Sequence, residues 1–334
     1  MANQVKWLLV GPGEIAQKRV APALAAAENS QIVGIVYGSP RQQAEQLAAK
    51  YGVRQVFGDI ADALARSDAN AVYLATPVWL HAAHAVAAME SGRHVLVEKP
   101  LGLSAADGDR VVQTAQATGM TAGCAYYRRF FSRYRHAVEM LAAGEFGRVV
   151  LVRMIYFGWF DPKADDPKRW RVVKAQSGGG ALADMGSHMF DLLIGLFGMP
   201  VSVYARCDNL VHPWDVEDSA GAMMTLVNGA HVQAAVSWNS RTWRHELEIV
   251  GTEAKLNWLP FDTGPVVKTV GRDATSLEMP NAENVHLPVI EDFVDAVLTG
   301  RPPLCPAREA NKTGALLDAI YASAAGNREV RVNE

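Results

Sequence analysis

The feature that most restricts this chain is how its first apolar run ends. Val5–Val10 reads VKWLLV and leads directly into Gly11-Pro12-Gly13-Glu14-Ile15-Ala16. A continuous apolar run of this length fits a strand buried on both faces, and Gly-x-Gly-x-x-Ala behind it fits a tight turn that opens a helix. The first glycine permits the turn. The second lets a pyrophosphate approach the backbone, and the small alanine lets helix and strand pack closely. The helix start adds free N–H groups and a positive dipole end. Gly11, Pro12, Gly13, Glu14 and Ile15 are therefore expected to hold a dinucleotide, although Pro12 lacks an N–H.

The same alternation continues through the first third of the chain. Apolar runs at Gln31–Val36, Ala71–Ala75, His94–Val97 and Thr121–Ala125 predict strands. Amphipathic, alanine-rich stretches at Glu14–Ala27, Pro40–Tyr51, Leu80–Ser91 and Ala105–Thr118 predict helices between them. Strands alternating with helices make a parallel sheet covered on both faces, which binds ligands at the carboxyl ends of its strands. The pattern changes near Tyr126, so residues 1–125 form one α/β domain and residues 126–334 a second, α+β domain. A helix over Phe131–Ala143, a strand over Arg148–Tyr156, a polar and aromatic loop from Gly158 to Ser177 and a further helix precede Pro200. After it, Val201–Cys207, Ser219–Val227, His231–Trp238, Leu247–Val250 and Ala254–Trp258 read as strands separated by turns such as Asn228-Gly229. They predict an open, mostly antiparallel sheet with one face on helices and the other covered by a partner subunit, a homodimer or homotetramer. The helix over 307–325 is expected to pack back on the first domain.

Charge and cysteine content narrow the class. The formal net charge of −3 and 20% charged residues, with no long run of one sign, do not recommend nucleic acid or a membrane surface as a partner. The 3 cysteines have neither metal-site nor CxxC spacing, which favours a reduced, cytoplasmic setting. No apolar stretch is long enough for a membrane span.

Three further segments carry chemistry. At the end of the second strand an acid would bind the ribose of NAD, but the chain reads Tyr37-Gly38-Ser39-Pro40-Arg41. Ser39 and Arg41 can contact a 2′-phosphate, which favours NADP over NAD, although both residues also suit the start of a solvated helix. At the end of His94–Val97, Glu98 and Lys99 follow the buried strand at once, and Pro100 makes the Lys99 peptide bond a candidate for cis. Lys99 can donate to a substrate oxygen. The run Gly178-Gly179-Gly180 gives a flexible approach to a helix on which Asp184, His188 and Asp191 stand at i, i+4 and i+7, one face. A histidine beside a carboxylate can act as a general base; a metal site lacks a third ligand at convincing spacing. Asp191 suits an orienting role. The loop residues Trp159, Arg169 and Trp170, with Arg171, suit a polyol, whose C–H faces pack on aromatic rings, but equally a lid or interface. A cofactor turn, a cationic donor and a carboxylate–imidazole pair point to hydride transfer at an alcohol carbon.

Together these residues resemble the glucose–fructose oxidoreductase, inositol dehydrogenase and MocA (Gfo/Idh/MocA) family. The resemblance runs over nearly the whole length and rests on GPGEIA, Ala75-Thr76-Pro77 with His81, Glu98-Lys99-Pro100, Arg128-Arg129-Phe130 and the D-x-x-x-H-x-x-D helix. It implies an N-terminal Rossmann domain, a nicotinamide cofactor and oxidation of a sugar or cyclitol hydroxyl, or the reverse reduction. It also implies roles: Lys99 at the reacting oxygen, Asp184 as its acidic partner, His188 as acid/base, and Thr76, Pro77, His81 and Glu98 along the cofactor. Trp170-Arg171 resembles a pair in sugar-reducing members whose arginine reaches the nicotinamide or substrate. Tyr37 departs from the acid that many members carry. Some relatives instead use bound NAD for transient oxidation and cleave a glycosidic bond, and a non-catalytic, sugar-responsive regulator on this scaffold is a further alternative.

Overall fold

In the computed structural model, which describes residues 4–38 and 40–332, the chain divides into two compact units. One comprises residues 1–127 and 282–311, the other 128–281 and 312–334. The first unit opens with β1 (Val5–Val10), a π-turn (Ala16–Val20) and α1 (Ala21–Ala26). It continues through β2 (Ser30–Val36), α2 (Arg41–Tyr51), β3 (Gln55–Phe57), α3 (Ile60–Arg66) and β4 (Ala71–Leu74). Then come α4 (His81–Glu90), β5 (His94–Val97), α5 (Ala105–Thr118) and β6 (Ala122–Cys124). The sheet order is β3-β2-β1-β4-β5-β6, all parallel. The order reverses direction between β1 and β4, and such a switch point opens a crevice at the strands' carboxyl ends. The strands are apolar throughout because both faces are covered: every residue of β4 is buried, as are Val95, Leu96 and Val97 of β5. Local signals end the helices. Asp59 and Ser104 accept from the backbone N–H groups of Asp62 and Asp107 at the starts of α3 and α5, and Gly52 and Gly119 close α2 and α5 in the left-handed region.

The second unit contains α6 (Ser132–Ala142), β7 (Val149–Trp159), a short α7 (Lys174–Ser177), a π-turn (Leu182–Gly186) and α8 (Ser187–Phe197). The strands β8 (Ser202–Asp208), β9 (Ser219–Thr225), β10 (His231–Ser237), β11 (Asn239–Gly251) and β12 (Ala254–Trp258) follow. β13 (Val266–Val270) and β14 (Asp273–Leu277) come next. The sheet runs β14-β13-β12-β11-β7-β10-β9-β8-β15, where β15 is Val330–Arg331. It is antiparallel except where β10 lies beside β7. Strict alternation gives it a buried face, including Val203, Ala205, Ala222, Met224, Val232 and Ala234, and an open face that exposes Tyr204 and Met223. The mostly antiparallel sheet is thus the one expected.

Two expectations change. The segment read as loop between Gly158 and Ser177 contains a 3₁₀ turn (Arg169–Val172) and α7. A single division at residue 125 also misses that residues 282–311 belong to the first unit. There α9 (Leu287–Thr299) packs on β1, with the Phe293 ring 5.6 Å from Trp7. Pro306 bridges to Gly123, and a Cβ at Gly108 would overlap the Asn311 side chain in the first turns of α10 (Ala307–Gly326). Burial of α9's apolar stripe explains the return: Val289, Ile290, Phe293, Val294 and Ala296 are all buried. Among the described residues no helix is long and apolar enough to cross a membrane.

Candidate active site

The glycine turn has the form its sequence demands. Gly11 stands at φ +88°, and a Cβ there would lie 2.7 Å from the Ala75 carbonyl oxygen. Gly11 N–H donates to Val36, and Ala75 N–H to Val10, so the turn is anchored between β2 and β4. A Cβ at Gly13, by contrast, would meet nothing within 4 Å. That open space over a helix start, and a buried Thr76 hydroxyl with no hydrogen-bond partner among the described residues, fit a dinucleotide phosphate. The Pro12 carbonyl accepts from Gln17 Nε2 at 2.8 Å, which holds the turn against the first helical residues. Glu14 pairs with Lys18 at the surface. Arg41, expected at a 2′-phosphate, forms an exposed i,i+4 pair with Glu45 at 2.7 Å; Ser39 lies outside the described residues.

The ends of β4 and β5 are tied together by His81. Its Nδ1 lies 2.6 Å from the Pro100 carbonyl and its Nε2 2.7 Å from the Thr76 carbonyl. Burial pushes this imidazole below its ordinary range, against the pull of the two carbonyls. Both ring nitrogens therefore face backbone carbonyls, and His81 stands between the Thr76-Pro77 and Lys99-Pro100 segments. The Lys99–Pro100 bond is cis, as its sequence suggested. Glu98, expected along the cofactor, instead turns inward: Oε1 accepts from the Tyr73 hydroxyl at 2.8 Å and lies 3.1 Å from His286 Nε2. Burial pushes the Glu98 carboxyl up, but His286, Tyr73 and Lys99 outweigh it and hold the group below the usual carboxylate range.

In the second unit the helix carrying the expected acid/base residues is not regular. Asp184 sits on the π-turn, and His188 and Asp191 sit on α8. The wider turn alters the angle at which Asp184 leaves the helix. Asp184 Oδ2 accepts from Arg171 Nη1 at 3.0 Å, and Arg171 also lies over the Trp170 ring. His188 is buried. Asp191 is buried against Arg129, with a shortest contact of 2.8 Å; burial pushes its carboxyl up to about 6 while Arg129 pulls the other way. The structure thus gives Asp191 a holding role and brings Asp184 to Arg171.

The start of this helix is clamped by Glu217, which sequence reading missed. Its carboxylate accepts from Gly180 N–H and Leu182 N–H at 2.9 Å, and from the Tyr321 hydroxyl at 3.1 Å. Gly178 closes α7 in the left-handed region at φ +79°, and Gly179 and Gly180 permit close approach. A Cβ at Gly179 would overlap the Tyr321 hydroxyl, and one at Gly180 the Glu217 carbonyl. Also missed was a cluster around the half-buried Asp262, which accepts both bonds of a bidentate Arg128 at 2.6 Å and has His245 Nδ1 3.7 Å away. His245 stacks on Phe261, and its ring meets the Tyr156 ring edge to face. Burial pushes His245 down to about 3.

The expected polyol residues scatter. Trp159 packs under Arg241, 3.9 Å from ring centroid to guanidinium, with its edge toward His212. Arg169 donates to the Pro162 carbonyl at 3.0 Å. Trp170 stays with Arg171 and so with Asp184.

Residues 5–126 match the family model described as the oxidoreductase family NAD-binding Rossmann fold, and residues 134–257 match the GFO/IDH/MocA C-terminal domain. The chain is 32% identical over 303 residues to a dTDP-3,4-didehydro-2,6-dideoxy-alpha-D-glucose 3-reductase of Streptomyces violaceoruber, covering 86% of this chain and 84% of that one. It is 27% identical to the D-xylose 1-dehydrogenase (NADP(+)) 2 of Haloferax volcanii, over 95% and 96% of the two chains. The WlbA dehydrogenase of Bordetella pertussis, solved with NADH and UDP-GlcNAcA, superposes with a TM-score of 0.86 at 25% identity, over 99% of each chain. With both of its units matched and its cofactor turn intact, the chain belongs to the Gfo/Idh/MocA family of NAD(P)-binding oxidoreductases.

Proposed function

We propose that this protein is an NAD(P)-dependent dehydrogenase or reductase that acts on a CH–OH or carbonyl carbon of a sugar or cyclitol. Lys99, Asp184 and His188 are its catalytic residues in this reading. The observation that carries it is that Asp184, fixed by Arg171, stands on a π-turn directly before a buried His188, since a fixed carboxylate and an imidazole one turn apart suit proton transfer. The sugar-acting relatives support the substrate class.

Gly11–Ile15 with Thr76 and Pro77 would hold the cofactor, which when bound would supply or accept the hydride. The chain's own residues do the rest. His188 takes the hydroxyl proton during oxidation and returns it during reduction. Lys99 donates to the same oxygen and offsets its developing negative charge. Asp184, fixed by Arg171, orients the imidazole, and Trp170, held beside Arg171, offers an aromatic face to the substrate. For the cofactor we propose NADP(H): the end of β2 carries Tyr37 and no acid, and Arg41 is the nearest cation. The Arg41–Glu45 pair must then open when a 2′-phosphate binds. We further propose a homodimer or homotetramer formed through the open face of the nine-stranded sheet.

Lys99→Ala and His188→Ala are expected to keep NADPH affinity, measured by fluorescence titration, and to lose turnover by about 10²–10⁴-fold. Full turnover in both variants would refute the assignment.

A further inference from the structure

The first unit contains a buried group that the proposed chemistry does not use. His286, at the N-cap of α9, is 0% exposed. Its Nε2 lies 3.1 Å from Glu98 Oε1, and 188 residues of chain separate the two. The Tyr73 hydroxyl reaches the same oxygen from β4. Among the described residues His286 Nδ1 has no hydrogen-bond partner, so the ring does not bridge two backbone segments as His81 does. Its one ring hydrogen bond goes to the residue immediately before Lys99.

Stability is a poor explanation for such a pair. Removing a carboxylate from water is costly, and a buried polar partner offsets that cost without making the arrangement a strong source of stability. What it does supply is a fixed geometry. Glu98 is the last buried residue of the β5 end, and the Lys99 backbone can shift only if Glu98 does. The groups facing the Glu98 carboxylate are few. Tyr73 approaches from β4 and His286 from α9, Lys99 is its neighbour in the chain, His81 on α4 feels its charge, and Cys124 on β6 lies beyond Tyr73.

We propose that His286 is a positioning residue: it fixes the Glu98 carboxylate and, through it, Lys99 at the end of β5. This rests on the functional reading of Lys99 given above. Tyr73 is the secondary support. Its hydroxyl satisfies the same oxygen from within the sheet, whereas His286 reaches it from α9, 188 residues away in the chain.

The test uses the full chain with His286→Phe, which retains a ring against Tyr127, Glu98→Gln, and Tyr73→Phe as the milder comparison. One readout needs no substrate: the Glu98 carboxyl is followed by ¹³C NMR against pH in wild type and His286→Phe. Without His286 the carboxyl should titrate at higher pH, because burial is then less opposed. The second readout is kcat and KM against pH with the sugar substrate found by screening. His286→Phe should lower kcat about tenfold or more, leave KM and NADPH affinity near wild type, and move the acid limb of kcat upward. Tyr73→Phe should do less of each. A Glu98 titration unchanged by His286→Phe, or wild-type kcat and acid limb in a folded His286→Phe protein, overturns the proposal while leaving Lys99 as the donor. Full turnover in Lys99→Ala removes the functional reading itself, and this proposal with it.

Discussion

Gly11 and His245 show how a single residue can set a measurable property. At φ +88°, with the Ala75 carbonyl 2.7 Å from where a Cβ would stand, Gly11→Ala suffers backbone strain of about 1–2 kcal/mol and a collision. It should lower Tm and abolish fluorescence-detected NADPH binding. His245 governs a pH response instead. An unfolded histidine takes up its proton near pH 6.5, but burial delays this in the folded protein to about 3. Neutral His245 therefore contributes stability above pH 6.5, and that contribution is lost progressively as pH falls toward 3. His245→Phe, which can stack on Phe261 without titrating, should flatten the fall of Tm between pH 6.5 and 4; an unchanged slope would assign that fall to other groups. The glycine turn was readable because its chemistry is local: strand, turn and helix start are contiguous in sequence. His245 was not, since its partners Asp262, Phe261 and Tyr156 come from other strands and loops.

The secondary-structure elements divide along the same line. β1, β5, α5 and β12 follow from their own sequences, because apolar runs and periodic stripes declare burial without knowledge of neighbours. β14 did not, since Asp273, Ala274, Thr275 and Ser276 are exposed on an edge strand and carry no buried stripe. The helix with Asp184 and His188 was readable as a helix but not as a π-turn, and its start is held by a distant partner, Glu217. That carboxylate lies 37 residues from Gly180, and only the tight glycines hinted at it. Glu217→Ala should leave the Gly180 and Leu182 N–H groups unsatisfied, at a cost of about 1–3 kcal/mol. It should also reduce kcat through displacement of Asp184, with NADPH affinity kept and Glu217→Gln recovering part of the loss. Equal kcat in Glu217→Ala and wild type would mean that the clamp serves folding alone.

For the molecule as a whole, the parallel first sheet and the mostly antiparallel second sheet were readable, as was the family. The return of residues 282–311 to the first unit was not. It depends on Phe293 and its neighbours finding β1, a contact that spans nearly the whole chain. The same return brings His286 to Glu98, so the chain's connectivity and its proposed lysine support have one cause. The account as a whole rests on hydride transfer assisted by Lys99. The most direct test is the change in NAD(P)H absorbance with both cofactors, across aldoses, cyclitols and nucleotide sugars, in wild type and Lys99→Ala side by side. The account predicts net cofactor turnover with at least one of these in wild type, faster with NADP(H) than NAD(H), and a loss of about 10²-fold or more in the variant. Equal rates in the two proteins, or cofactor binding without net turnover on any of them, would contradict it.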